Sequence, residues 1–527
     1  MSAGSAHRAF AILALLAVTA CGSTAQQQAL STGEAAADTL ASDGLGGDGL
    51  GGDGLGAPDA GLNDPGSGAG DASGVTGTTG GSAGAVGDAA APTGGSAAGG
   101  TASADGTATG TTGTGVARPA SNARGVDAKT IRIGLEYVKG SDEARRNMGF
   151  EGVTSGDQKR QLDILVEHIN KTGGMAGRKV VPVFHAYDAS SGNTSSENEQ
   201  AACSTFAEDN KVFAVISAIN HTEVFLSCLT KVGVPYISAP GLTINDDDVF
   251  RRYPLHLELN AVSLSKQGAM FGKPMADAGY YDKDAKIGLL TFSTPNFQRA
   301  VDGHLKPALQ RIGLSLTDEV ELAYPQSTSE QGAMAAAINN AVLRFRQKGV
   351  THVLITDVSA LVTVLFATSA GNQGYYPRFG WLSPNGGQAA ADLIADKRSL
   401  EGAVELGWYP AIDLNAANQD ILAPGAKKCA QLFASKGYTP SNRNEETVLQ
   451  LQCEIFFFTQ AAANRSDPLT GQGFVAALRE ISAGVPPAST YRIDLNRAPA
   501  GAGAYRVQRW VTACRCFKAE AGTKPLH

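Results

Sequence analysis

The sequence lacks several patterns by which enzymes and nucleic-acid-binding proteins are identified. Its 43 basic residues are outnumbered by 50 acidic ones, and the net charge of −7 argues against nucleic acid as a partner. It has no Gly-x-x-x-x-Gly-Lys-Ser/Thr phosphate loop, no His-Glu-x-x-His motif and no Cys-x-x-Cys pair. No Ser/His/Asp set or paired-carboxylate motif occurs at a predicted strand end. We therefore expect a protein that is not an enzyme and that holds no metal or cofactor.

The sequence also has no long apolar run, but a short one lies near its start. Residues 9–20 are apolar and follow the basic residues His7 and Arg8, which is typical of an export signal. The run is too short to span a bilayer comfortably, so a transmembrane helix is the less favoured alternative. The motif Val-Thr-Ala-Cys-Gly at its end resembles the lipobox of bacterial lipoproteins. That resemblance implies a signal peptide over 1–21 and a lipid on Cys21, which would anchor the chain to the extracytoplasmic face of the cell membrane.

The composition changes sharply after this motif. Residues 22–125 contain little but Gly, Ala, Ser, Thr and Asp. Such a segment has too little apolar surface to offset the entropy of an ordered chain, so we predict a disordered linker. Residues 126–527 have an ordinary globular composition. Roughly 400 residues exceed one hydrophobic core, which predicts two lobes or domains.

The globular part alternates between strand and helix patterns. Apolar residues within 162–169, for example, recur at the i, i+3, i+4, i+7 spacing of an amphipathic helix. Strands are predicted at 130–135, 179–184, 212–217, 234–238, 286–292, 319–323, 352–356, 379–382, 491–495 and 505–511. Further helices are predicted at 197–209, 224–231, 298–312, 331–348, 360–370, 426–436, 445–462 and 473–481. Two successive runs of this kind predict two α/β lobes with parallel sheets, with a ligand at the carboxyl ends of the strands.

One segment of this pattern resembles a known family. Residues 168–180 read His-Ile-Asn-Lys-Thr-Gly-Gly-Met-Ala-Gly-Arg-Lys-Val. They are similar to the Ile-Asn-x-x-Gly-Gly-hydrophobic-x-Gly-Arg turn of the type I periplasmic binding proteins, and more narrowly of their branched-chain amino-acid and amide receptors. Asp188 occupies the place of the Asp near the end of the next strand in that family, and 215–218 and 234–238 resemble its following two strands. The resemblance covers nearly all of 130–517.

The resemblance implies both a fold and a function. The fold is α/β, with two Rossmann-like lobes joined by a three-segment hinge. Lobe 1 would comprise 126–257 plus 408–487, and lobe 2 would comprise 258–407 plus 488–527. The implied function is that of a monomeric solute-binding lipoprotein. It would capture a small polar metabolite, such as an amino acid, an amide or a small organic acid, between the lobes and deliver it to an ABC permease.

The resemblance also implies where the ligand binds. In lobe 1 the candidates lie in the loops after two strands, with Tyr137 after the first strand; they are Tyr137, Asn220, His221, Thr222, Ala239, Pro240 and Gly241. In lobe 2 the candidates are Phe297, Asp357 and Asn385. Relatives that bind amino acids often have a carboxylate near the place of Asn385, so here Asp357 could take that role, or the ligand could lack an amine.

Purely structural roles, such as helix capping and packing, remain open for several of these residues. Asn220, His221 and Thr222 open a predicted helix, so they could cap it instead of binding a ligand. Asp357 could cap the helix that begins near residue 360. Tyr137 could pack at the hinge.

Cysteines other than Cys21 number six, and an even number in an exported chain indicates disulfides. Six cysteines allow fifteen pairings. Our hypothesis joins neighbouring predicted helices through Cys203–Cys228 and Cys429–Cys453, and leaves Cys514–Cys516 to pair locally.

Other functions are possible for the same sequence. A sensor with this fold would report ligand binding to a membrane kinase or channel. An envelope hydrolase and a structural wall protein are weaker alternatives, because the sequence offers no catalytic set and because a two-lobed fold with a cleft suits a ligand.

Overall fold

The computed structural model describes residues 123–143, 154–191, 193–240, 243–325, 330–358, 360–415 and 423–526. The predicted signal peptide, the lipid attachment at Cys21, nearly all of the predicted linker and Gly241 lie outside the described residues. Within the described ranges, no helix combines the length and the apolar character needed to cross a membrane.

The first of two sheets is entirely parallel. Its five strands are β1 (Thr130–Lys139), β2 (Lys179–Asp188), β3 (Ala214–Ser217), β4 (Tyr236–Ser238) and β5 (His256–Glu258). They lie in the order β2-β1-β3-β4-β5. Buried apolar side chains point to both faces, for example Ile133 to one face and Val215 to the other, as a parallel sheet covered by helices requires.

The second sheet repeats this order and then adds antiparallel strands. Its strands are β6 (Ile287–Phe292), β7 (Leu316–Leu322), β8 (His352–Ile355), β9 (Arg378–Leu382), β10 (Val404–Gly407), β11 (Ala504–Val511), β12 (Cys516–Ala519) and β13 (Lys524–Pro525). The order β7-β6-β8-β9-β10 is parallel. β11 then pairs antiparallel with β10, and β12 and β13 pair antiparallel with β11.

Helices connect the strands and cover both sheets. We label them α1 (Gln158–Lys171), α2 (Ser195–Cys203, continued by a π turn, Ser204–Asp209), α3 (Glu223–Lys231), α4 (Asp247–Arg252), α5 (Leu264–Met270), α6 (Lys273–Asp277), α7 (Pro295–Ala300, continued by a π turn, Val301–Leu305), α8 (Lys306–Gln310), α9 (Gln331–Gln347), α10 (Leu361–Asn372), α11 (Gly387–Leu393), α12 (Pro410–Asp413), α13 (Ala426–Ser435), α14 (Arg443–Arg465) and α15 (Gly471–Ile481). Short 3-10 helices cover Ser383–Asn385 and Lys397–Leu400.

The chain returns to the first sheet after building most of the second. Phe456 of α14 and Phe474 of α15 lie in the same buried cluster as Ile131 and Ile133 of β1. The final strands β11, β12 and β13 then join the second sheet. The first sheet is therefore covered by helices that are distant in sequence, and the second sheet is extended by strands that are distant in sequence.

Hydrogen bonds join the segments that cross between the two sheets. The side-chain amide of Asn260, after β5, donates to Ser489 Oγ at 2.7 Å. Thr490 Oγ1 donates to the carbonyl of Trp408, after β10, at 2.7 Å. The backbone N–H of Glu258 donates to the carbonyl of Pro499 at 3.0 Å. The predicted α/β fold with two Rossmann-like lobes and three crossing segments is thus confirmed.

One predicted strand is wrong, and several short elements were not predicted. Residues 491–495 form no strand; Ile493 makes one isolated bridge to Ala502. The backbone N–H of Asp494 also bonds to Gly501, so the segment is part of a loop that folds back on itself. The strands β5, β10 and β12 and the helices α4, α5, α6 and α11 were missed. Each is too short to show a hydrophobic period.

The six described cysteines form the three pairs of our hypothesis. Cys203–Cys228 joins α2 to α3, and Cys429–Cys453 joins α13 to α14. Cys514–Cys516 closes the turn between β11 and β12.

Removing Cys203–Cys228 with the C203A/C228A variant should lower the free energy of unfolding by about 2 to 3 kcal/mol, because this bond restricts a long loop in the unfolded chain. Its cysteines are 25 residues apart, whereas those of Cys514–Cys516 are 2 apart. The C514A/C516A variant is therefore the control and should change stability much less. Urea unfolding without reductant measures both, and equal losses would contradict the expectation.

Candidate functional site

A row of polar side chains crosses the first sheet near the carboxyl ends of its strands. Ser217, Ser238 and Glu258 are aligned across β3, β4 and β5. Ser217 Oγ donates to Glu136 Oε2 of β1 at 3.2 Å, and all four side chains are buried. Parallel strands covered on both faces are normally apolar, so this row is a departure from the pattern. It places hydrogen-bonding groups at the edge where open α/β sheets bind ligands.

His221, in the loop after β3, lies between two carboxylates. Its Nε2 is 2.6 Å from Glu136 Oε2, and its Nδ1 is 3.5 Å from Glu199 Oε1, an ion pair longer than a good hydrogen bond. All three side chains are buried. Burial by itself lowers the pKa of His221, but the charges and hydrogen bonds of Glu136 and Glu199 outweigh it and raise the pKa to about 10. His221 is therefore a buried cation at neutral pH.

Glu199 of α2 also occupies the amino terminus of α3. It accepts hydrogen bonds from the backbone N–H of Thr222 at 2.6 Å, from Thr222 Oγ1 at 2.5 Å and from the N–H of Phe225 at 3.3 Å. Burial would raise the pKa of Glu199, but the charge of His221 and the hydrogen bonds from Thr222 outweigh it and lower the pKa. Thr222 is in addition the N-cap of α3, accepting from the N–H of Val224.

The other candidates in lobe 1 lie in the loops after β3 and β4 and near the end of β1. Asn220 is half-buried in the same loop. Ala239 and Pro240 are buried after β4, and the N–H of Ala239 donates to the carbonyl of Ser217 at 3.2 Å. Tyr137 lies within β1 and not after it, as was predicted, because the strand continues to Lys139. Its side chain is half-buried and packs edge-on against Phe184, with ring centroids 6.3 Å apart.

Asp357 and Asn385 belong to one buried network in the second sheet. Asp357 Oδ2 accepts from the N–H of Thr363 at 2.9 Å and from Thr363 Oγ1 at 2.8 Å, while Oδ1 accepts from the N–H of Val358 at 2.7 Å. Asn385 Nδ2 donates to the same Thr363 Oγ1 at 2.9 Å. Asp357 thus occupies the amino terminus of α10, in the capping role left open for it. Phe297 is fully buried, with its ring 5.1 Å from that of Phe292.

Charges from both sheets act on Tyr324, which follows β7. Burial raises the pKa of Tyr324, and the nearby Tyr187 at the end of β2, Asp357 and Glu199 raise it further. An ion pair joins the two lobes at the carboxyl ends of their strands. Arg299 of α7 binds Asp246, the N-cap of α4, through Nε at 2.6 Å and Nη2 at 3.1 Å.

Ligand contact by the predicted residues therefore stays a prediction. The structure brings His221 and Thr222 together with Glu136 and Glu199, which sequence reasoning missed. A charged residue inside a buried strand could have revealed Glu136. Glu199 gives no such signal, because it lies on a helix between polar neighbours. Among the described residues, no group of His, Cys, Asp and Glu is arranged to hold a metal ion.

Curated sequence relatives match part of the chain. Leu/Ile/Val-binding protein homolog 8 from Brucella abortus (strain 2308) is 25% identical over 228 residues, which are 42% of this chain and 52% of the relative. Its counterpart from Brucella suis biovar 1 (strain 1330) matches equally. The chain thus spans about half the length of these relatives. No family model matches it.

Solved structures match more of the chain at lower identity. A type 1 periplasmic binding protein from Bordetella pertussis Tohama I superposes with a TM-score of 0.52 at 14% identity, covering 74% of this chain and 100% of that one. A branched-chain amino acid ABC transporter protein from Thermus thermophilus with bound valine gives 0.52 at 15% identity, covering 75% and 96%. A fatty acid ABC transporter substrate-binding protein from Thermomonospora curvata gives 0.51 at 14% identity, covering 76% and 92%. The chain therefore has the fold of the type I periplasmic binding proteins and resembles their Leu/Ile/Val-binding branch.

Proposed function

We propose that this chain is an extracytoplasmic solute-binding lipoprotein. It captures a small polar metabolite between its two lobes and delivers it to an ABC permease. The lipid on Cys21 would hold it at the membrane, and it would act as a monomer. The sequence relatives and the matched structures are named as binding proteins or as parts of ABC transporters, which supports a binding function over catalysis.

The observation that carries this proposal is the contact between the two lobes at the carboxyl ends of their strands, where Arg299 of α7 binds Asp246 before α4. Ligands of open parallel sheets bind beyond these ends of the strands. A metabolite that contacts both lobes favours the conformation in which they are close together. The hydrogen-bonded crossing segments near Asn260, Trp408 and Ser489 are where the backbone would turn during closure.

The test combines a stability screen with a distance measurement. Amino acids, amides, amines and short-chain acids are first screened by thermal shift, where a ligand at 100 times its Kd should stabilise the protein by about 2.7 kcal/mol. Spin labels in the V224C/L343C variant then report the distance between α3 and α9. Val224 and Leu343 are 40% and 46% exposed, so labels should not disturb the cores.

The control pair lies on the side of the second sheet alone. In the L343C/Y376C variant the ligand should leave the distance unchanged, because Tyr376 lies two residues before β9 and Leu343 lies on α9. A ligand that changes the first distance and not the second supports capture between lobes. If no compound raises the melting temperature or alters the first distance, the proposal is wrong.

A further inference from the structure

We infer that Glu199 is a specificity-determining residue that excludes a ligand carboxylate from the amino terminus of α3. The ligand is therefore a neutral or cationic hydrogen-bond donor, such as an amide or an amine, and not a free carboxylate. This inference rests on the proposed function and narrows its class of ligand.

The hydrogen-bond donors at the start of α3 are already occupied. A helix amino terminus has unpaired N–H groups and a positive dipole end, which together suit an anion. In this nine-residue helix, two of those N–H groups and the Thr222 hydroxyl are already bound by the carboxylate of Glu199. A ligand carboxylate would have to displace a buried internal one that is also paired with His221.

The surroundings of His221 are rich in acidic groups. The imidazole of His221 faces two buried carboxyl groups, those of Glu136 and Glu199, so acidic side chains outnumber basic ones in this trio. In the part of the chain that the structure describes, the buried atoms Glu136 Oε1, Ser238 Oγ and Glu258 Oε2 make no hydrogen bond. Glu136 Oε1 and Glu258 Oε2 belong to carboxyl groups, and an ionised carboxyl group accepts hydrogen bonds but donates none. The row on the first sheet therefore offers more acceptors than donors, which suits a ligand that donates.

The second sheet shows the same arrangement at a helix amino terminus. The amino terminus of the twelve-residue helix α10 is likewise bound by an internal carboxylate, that of Asp357. The charges of Asp357 and Glu199, one from each sheet, both act on Tyr324. An anion held beside Tyr324 would therefore be repelled by both carboxylates, whereas a cation would be attracted.

The experiment compares matched ligands on the full chain. Each carboxylate is paired with its amide: L-leucine with L-leucinamide, L-valine with L-valinamide, acetate with acetamide and benzoate with benzamide. Affinities come from calorimetry after a thermal-shift screen. We expect amides to bind at least tenfold more tightly than their carboxylates. In Glu199→Gln the carboxylates should gain at least tenfold relative to the wild type, because the competing charge is removed.

The matched control is Glu208→Gln, which removes the same charge from an exposed position on the continuation of α2. Glu208→Gln should leave the affinities for the amides and for the carboxylates unchanged. Carboxylates that bind the wild type as tightly as their amides overturn the inference while leaving capture between lobes intact. If neither series binds and the spin-label distance does not respond, the inference and the proposed function both fail. The wild-type comparison decides the question even if Glu199→Gln does not fold.

Discussion

Replacing His221 by glutamine should lower the free energy of unfolding by about 3 to 5 kcal/mol, because the change leaves two buried carboxylates without their cation. Glu136 and Glu199 are buried. Nε2 of the His221 imidazolium lies 2.6 Å from Glu136 Oε2, and its Nδ1 lies 3.5 Å from Glu199 Oε1. Glutamine can donate a hydrogen bond but brings no charge. The loss should appear in urea unfolding at pH 6.

The pH dependence gives an independent check on His221. Its pKa rises from 6.5 in the unfolded chain to about 10 in the folded one. The folded state therefore holds the proton more tightly, and this stabilisation is complete below pH 6.5 and is lost as the pH rises to 10. The wild type should lose stability over that range, whereas His221→Gln should lose less.

Two further variants make the result interpretable. His304→Gln, in the π turn after α7, replaces a partly exposed histidine and should change stability little. The triple variant E136Q/E199Q/H221Q removes the cation and both anions together, so it should be less damaging than the sum of the single changes. A loss below 1 kcal/mol for His221→Gln would show that the trio contributes little to stability.

Glu454→Gln should abolish a fall of about 3 kcal/mol in the free energy of unfolding between pH 4.5 and pH 8.5. Glu454 is a buried residue of α14 beside the third crossing segment. It accepts from the N–H groups of Ala488 and Ser489 and from Ser489 Oγ, each at 2.8 Å. Burial raises its pKa to about 7 despite these hydrogen bonds.

The sign of this effect follows from the two pKa values. The ordinary pKa of 4.5 applies to the unfolded chain, and the folded value is about 7. The folded state binds the proton more tightly, so the associated stability is present below pH 4.5 and is lost as the pH rises through 7. Glutamine resembles the protonated acid in shape and cannot ionise, so the variant should not show this loss.

The control for Glu454 is Glu446→Gln, an exposed position on the same helix. It should retain the wild-type dependence on pH, including the parts that come from His221 and other buried groups. Stability is measured by urea unfolding at pH 4.5, 6.5 and 8.5. Parallel curves for Glu454→Gln and Glu446→Gln would contradict the expectation.

Local patterns in the sequence were sufficient for most of the fold. Strands such as β1 and β6 were found because short apolar runs lie between turn residues, and α1 because its apolar residues repeat at helical spacing. The cysteine pairs were found because each long-range pair lies on helices that follow one another. The strand predicted at 491–495 was wrong because its apolar residues pack in a loop, where no period constrains them.

The candidate site was less accessible to the same reasoning. His221, Thr222 and Asp357 were identified as residues that would bind a ligand or cap a helix, and the structure shows Thr222 and Asp357 at helix amino termini. Glu199 was not identified, because it is 23 residues from Thr222 in sequence and reaches it only through packing of α2 against the first sheet.

The sequence by itself determined the two runs of alternating strands and helices, since these depend on neighbours along the chain, whereas it left fifteen cysteine pairings open and supplied the observed one only as a hypothesis. Only the tertiary structure decided which charges meet. It placed Glu136 and Glu199 on either side of His221, and it brought Arg299 of the second lobe to Asp246 of the first. Contacts between distant segments set the burial and electrostatics of these groups, and no local period encodes them.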